Sequence, residues 1–154
     1  MKNIIKFAAA IIICFAPGVI GSYFTAATVD TWYLTLAKPA LNPPGWAFGV
    51  VWPILYLLMA IALYLIWNAR TTQKRLPLNL FYAQLILNGL WSIFFFGLKS
   101  PFYALIELLI LWILIVLVMA EFYSINKWSV YLLAPYIAWV SFAAYLNYSI
   151  WVLN

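Results

Sequence analysis

An all-α membrane protein is what this sequence predicts: a five-helix transmembrane bundle whose long first loop folds as a lid over a pocket. Two observations carry that expectation. The chain is 69% hydrophobic, 20% aromatic and only 7% charged over 154 residues, whereas a soluble domain is about a quarter charged. A water-soluble fold of this size cannot hide so much apolar surface, so lipid must cover the rest. The second observation is segmentation. Apolar runs at about 4–27, 46–67, 78–98, 102–123 and 128–153 are each long enough to cross a hydrocarbon core ~30 Å thick at ~1.5 Å per residue. No repeat and no compositional break divides the chain, so residues 1–154 form one domain.

Each run reads as a helix, because lipid offers no partner for an unpaired backbone amide. The first begins like a signal peptide, with Lys2 and Lys6 ahead of an apolar core. Its apolar character continues through Val19, Ile20 and Phe24, which argues for a retained span. The second follows Asn42-Pro43-Pro44-Gly45, a stiff turn that delivers Trp46 into the helix, and carries Trp52 and Tyr56 on one face. Pro53 removes a backbone bond to the Gly49 carbonyl and can kink the helix there. In the third, Gln84, Asn88, Trp91 and Phe95 share a face, and amides do not face lipid willingly. The fourth, containing LIELLILWILIVLVM, does not alternate and so excludes a β-barrel strand; it holds Glu107, an acid inside a span, with Tyr103 and Lys99 as candidate partners. In the fifth, Pro135, Trp139, Ala143 and Leu146 align, with Asn147 at the edge.

Three of the four connections are short, which predicts that the helices they join are antiparallel neighbours. The exception, Thr28–Gly45, is apolar, aromatic and stiffened by Pro39, Pro43 and Pro44, hence the expected lid. Trp46, Trp67, Trp128 and Trp151 stand at span ends, where interfacial anchors belong.

Charge narrows the function. Eight Lys and Arg against three acids give +5, but the cations flank the apolar runs and form no nucleic-acid patch. Lys2, Lys6, Arg70, Lys74, Arg75 and Lys127 fall on one side; only Lys38 and Lys99 fall on the other. That asymmetry predicts a cytoplasmic N-terminus and favours a bacterial cell membrane. With no His and a single Cys14, neither a metal site nor a cofactor is expected, and no serine has a base beside it. Recognition remains: an apolar cavity with a few amides suits a large, flat, apolar ligand. Helix packing alone would also explain each aromatic stripe.

Three blocks resemble a known family. WYLTLAKPALNPPGWAFGVVWPILY, LNGLWSIFFFG and LLAPYIAWVSFAAYLNYSIW are similar to the signatures of the translocator-protein family (TspO/MBR, the peripheral-type benzodiazepine receptor). The resemblance implies a membrane receptor or carrier for porphyrins such as protoporphyrin IX and other tetrapyrroles, with cholesterol in eukaryotic members. It implies a pocket lined by Tyr33, Pro43, Pro44, Trp52, Asn88, Trp91, Trp139, Ala143 and Leu146, to which the helical spacing adds Tyr56. It also implies a homodimer through the third helix, where Gly89 and Gly97 are small enough for close contact. In bacterial relatives the tryptophans matching Trp52 and Trp139 are tied to light-dependent porphyrin degradation, so those two would be the catalytic pair of a photochemical alternative. A purely structural or assembly protein is the other alternative. Two positions depart from the pattern: Leu41 stands where the family usually has Trp, and no basic residue follows Leu146 and Tyr148, so cholesterol is not expected.

Overall fold

The computed structural model describes residues 2–154 and contains, among them, six α-helices and no strand. They are α1 (Lys2–Thr28), a single turn α2 (Trp32–Thr35), α3 (Gly45–Asn68), α4 (Arg75–Ser92), α5 (Pro101–Ile125) and α6 (Lys127–Leu153). A π-helical turn, Ile93–Gly97, continues α4. Five of these helices are long and apolar enough to cross a membrane, at the five positions expected. Most boundaries move outward by one to three residues, the largest at α4, which starts at Arg75 instead of 78, while its π-helical continuation ends at Gly97 instead of 98. Pro17, Pro53 and Pro135 all lie inside continuous helices.

Local chemistry sets the ends. Pro44, in extended conformation, precedes α3. Ser100 accepts a hydrogen bond from the Tyr103 amide at 3.4 Å, with Pro101 in the first turn, where its missing N–H is harmless. Asn126 serves two helices: its amide bonds the Phe122 carbonyl at 2.8 Å to close α5, and its Oδ1 accepts from the Trp128 amide at 2.9 Å to open α6.

The spans form a closed ring in the order α1, α3, α6, α5, α4 and back to α1. The hairpins α4–α5 and α5–α6 are neighbours, as their short connections require. The expectation for α3 and α4 is corrected. Although a short loop joins them, α1 sits between them, and they meet only through side chains across the core. Small residues make this wedge possible. A methyl group at Gly18 would overlap the Tyr56 ring, and one at Gly89 would lie 3.4 Å from the Pro17 backbone. Gly97 faces Phe24 in the same way. Gly89 is buried in the α1–α4 contact within one chain, whereas Gly97 packs on Phe24 and stays exposed. The core packs around Met59, Leu63, Phe81, Leu111, Phe122 and Tyr136, while Ile12, Val19, Ile86 and Ile113 point outward. A large exposed apolar surface of this kind belongs in lipid.

Candidate functional site

The site begins where α3, α4, α5 and α6 converge in the half of the bundle nearer the 29–44 loop. Trp52 (α3), Asn88 and Trp91 (α4), and Trp139 and Ala143 (α6) surround one void, together with Phe48, Leu108, Leu111 and Val140. Five residues expected at the site are thus brought together. Tyr56 lies directly beneath: its ring stacks on Trp52 with centroids 5.4 Å apart, and it is buried. Leu146 is buried one turn from Ala143 but does not face the void. Tyr33, Pro43 and Pro44 stand in the loop and do not line it.

A buried polar chain forms the floor. The Tyr56 hydroxyl donates to Asn88 Oδ1 at 2.9 Å; Asn88 Nδ2 donates to the Tyr136 hydroxyl at 3.1 Å; that hydroxyl donates to Gln84 Oε1 at 2.8 Å. Each amide thereby has a partner on another helix, which explains how Gln84 and Asn88 are tolerated at mid-span. Trp91 Nε1 donates to Asn147 Oδ1 at 3.0 Å, and Asn147 Nδ2 to the Pro101 carbonyl at 2.6 Å, fixing the Trp91 ring. Trp139 differs. Its ring meets Phe48 edge-on at 5.8 Å, and its buried Nε1 has no partner. It is a buried indole donor that no protein group satisfies.

The void itself is about 20 Å³, against roughly 300–1,000 Å³ for sites that enclose a drug-sized ligand. The residues of a pocket are assembled here, and the rings fill it. No group of His, Cys, Asp or Glu able to hold a metal ion occurs among the described residues.

Over this end lies the loop. Trp32 packs on Phe95 (5.6 Å) and Tyr33 on Phe96 (5.7 Å), both carried inward by the π turn. In that turn Leu98 N–H bonds the Ile93 carbonyl at 2.8 Å, so each turn spans more residues and two consecutive phenylalanines face the interior. The Tyr33 hydroxyl donates to Asn42 Oδ1 at 3.1 Å, and Lys38 Nζ lies 4.5 Å from the Tyr33 ring centroid. Burial pushes the Tyr33 phenol up from its ordinary range, with the Asn42 hydrogen bond acting weakly the other way. At the loop's far side Asn154 grips Ala37 by both backbone groups, at 2.9 and 3.1 Å.

Glu107 is buried, and neither oxygen has a partner. The two candidates named from sequence do not reach it: Tyr103 points outward, and Lys99 sits exposed at the turn with φ 52°. Phe48, Leu108, Leu111, Val140 and Tyr136 were not singled out from sequence. Phe48 lies one turn before Trp52 and was accessible to the same helical reasoning; the two leucines are indistinguishable from their neighbours in a leucine-rich span.

The model of the TspO/MBR family matches residues 10–152. The chain belongs to the TspO/MBR family. Members of the family similar to it include the tryptophan-rich protein TspO of Archaeoglobus fulgidus, 43% identical over 99% of both chains. The human translocator protein is 36% identical over 86% of this chain and 80% of its own. The tryptophan-rich sensory protein of Cereibacter sphaeroides is 34% identical over 92% and 86%. With five candidate spans, TspO/MBR membership makes this chain a multi-pass integral membrane protein.

Proposed function

We propose that this protein is a membrane receptor or carrier for tetrapyrroles, held as flat apolar guests between the indoles of Trp52, Trp91 and Trp139. One observation carries the proposal most: indoles from three separate helices surround a single void above a fully hydrogen-bonded floor. Such an arrangement gives aromatic faces for a planar ring system, with Trp139 Nε1 free to donate to an acceptor on the guest. The guest enters by displacing the aromatic rings that now fill the site, and the Trp32–Tyr33 loop acts as the cover.

The test is a protoporphyrin titration of the purified protein followed by tryptophan emission, in darkness and under light. Saturable quenching in darkness is expected, with Trp139→Phe weakening affinity about three- to tenfold. Unsaturable quenching, equal to that in detergent alone, would overturn the proposal. A photoproduct that forms only with Trp52 and Trp139 intact would identify the protein as a photochemical catalyst instead.

A further inference from the structure

We propose a second binding site, at the opposite end of the bundle, for the headgroup of a zwitterionic phospholipid bearing a primary ammonium: phosphoethanolamine. A cleft of about 530 Å³ opens there between the α3–α4 loop, the first turn of α4 and the last turn of α5. Its volume falls within the range of small-ligand sites, whereas the void among the indoles does not.

The two walls carry opposite charge. On one, the loop Arg70-Thr71-Thr72-Gln73 and the start of α4 place Arg70 and Arg75 on the same cleft. Both are exposed, and among the described residues neither is ion-paired or hydrogen-bonded. Lys74, the third cation of the loop, is already engaged, donating to the Trp67 carbonyl at 2.9 Å. The α4 N-terminus opens on the same side and has no side-chain cap, so its first amides and the positive end of its dipole reinforce a preference for an anion. The other wall is α5, which contributes Glu121, Ser124 and Ile125 at its C-terminal end. There the dipole and the last carbonyls favour a cation.

A site with an arginine pair facing a carboxylate is poorly matched to a purely anionic headgroup, because Glu121 repels a second negative charge. It matches a phosphate and an ammonium carried on one short linker. The cation wall consists of hydrogen-bond acceptors, so a primary ammonium with N–H donors fits it and a trimethylammonium does not. The cleft also lies at the depth where a headgroup is found. At this end of the bundle Trp67 donates to the Tyr82 hydroxyl at 3.1 Å, and Trp128 is exposed; such rings settle at the headgroup level of a bilayer. Exposed Leu76, beside the arginines, supplies an apolar wall for the start of the acyl chains.

The experiment uses the full-length protein in mild detergent, with native mass spectrometry and thermal unfolding as readouts. Dioleoyl phosphatidylethanolamine, phosphatidylcholine and phosphatidylglycerol are added at matched concentration, with inorganic phosphate as a fourth arm. Phosphatidylethanolamine is expected to be retained about tenfold better than phosphatidylcholine, the scale of one charge-assisted hydrogen bond. Glu121→Gln should abolish that preference while phosphatidylglycerol binding holds or rises. The Arg70→Ala, Arg75→Ala double variant should lose retention of both lipids. Arg70 and Arg75 are exposed, Glu121 is half-buried, and none of the three belongs to the buried core. Equal retention of the three lipids, a preference unchanged by Glu121→Gln, or tighter binding of phosphatidylglycerol would each overturn the assignment. A thermal shift reproduced by inorganic phosphate alone would replace the lipid with a free anion. No porphyrin is involved, so this outcome is independent of the indole site.

Discussion

Gly18→Ala is expected to destabilise the protein, although alanine is the better helix former. The cause is the Tyr56 ring, whose edge occupies the space a Cβ at position 18 would take. That ring has nowhere to retreat. Trp52 stacks on it at 5.4 Å, Phe15 packs against it at 5.6 Å, and its hydroxyl is held by Asn88 at 2.9 Å. Overpacking a filled core costs about 1–3 kcal/mol. If the ring moves to make room, the phenol–amide bond is lost as well, about 0.5–1.5 kcal/mol. Against this stands a helix-propensity gain of about 1 kcal/mol. The net loss is therefore about 0.5–3.5 kcal/mol, measured by reversible unfolding in detergent. Tyr56→Leu removes the clash, so the Gly18→Ala penalty should largely vanish in that background, with a coupling energy of about 1–3 kcal/mol. Trp52 emission should also shift in Gly18→Ala, because its stacking partner is displaced. Stability at or above the parent's would refute the reasoning, as would an undiminished penalty in the Tyr56→Leu background.

Asn88→Leu should cost about 1–3 kcal/mol by stranding the Tyr56 hydroxyl, and adding Tyr56→Phe should recover part of it in the same unfolding assay; no recovery would deny the bond its role. Glu107→Leu should raise the melting temperature, by about 1–3 kcal/mol in stability, because an unpartnered buried carboxyl is replaced by an apolar group; a fall would mean the carboxyl has a partner. Asn154→Ala should speed hydrogen exchange at the Ala37 amide about tenfold while global stability changes by less than ~1 kcal/mol, and unchanged exchange would dismiss the clamp. For Tyr33 the folded state favours the neutral phenol, so its contribution to holding the loop is complete below the ordinary phenol value of about 10 and is lost as pH rises through the higher folded value. A tyrosinate titration compared with Tyr33→Phe checks this, and ionisation at or below the ordinary value would contradict it.

Much of this was legible in the sequence, for identifiable reasons. Lipid removes every alternative to helix, so the length of an apolar run reports a span directly. Inward faces were legible wherever a polar or aromatic residue marked them: Gln84, Asn88, Trp91 and Phe95 share a face, and their side chains do meet the core or the void. Three things were hidden. The ring order rests on α1 packing between α3 and α4, with Gly18 leaving room for the Tyr56 ring, a contact that no single helix records. The inward turn of Phe96 depends on a π turn, which shifts the period that the reading assumed. The volume between the indoles depends on how their rings are rotated, and composition and spacing do not encode it.

If the proposed function holds, a seam of the closed site must part for a flat guest to enter, and the distribution of hydrogen bonds points to which one. On the side of α6 facing α5, Trp112 donates to Ser141 at 2.9 Å and Asn147 reaches Pro101 at 2.6 Å. Toward α4, Trp91 holds Asn147 at 3.0 Å. The α3–α6 seam is different. Its one hydrogen bond among the described residues, Ser129 to the Ala62 carbonyl at 3.2 Å, lies at the basic end. In the half beside the void, the aromatic pairs across the seam are edge-on: Phe48 with Trp139 at 5.8 Å and Trp52 with Tyr136 at 6.4 Å. Aromatic pairs of this kind contribute about 0.5–1.5 kcal/mol each beyond their area, and a guest that stacks on the same rings replaces them. Splaying α3 from α6 at the loop end would break no direct hydrogen bond between these two helices and would keep the Ser129 pin as a hinge; the cost falls on the Tyr56–Asn88–Tyr136 chain that links them through α4, and on the proposed function the movement would bring the unpartnered Trp139 N–H to the guest.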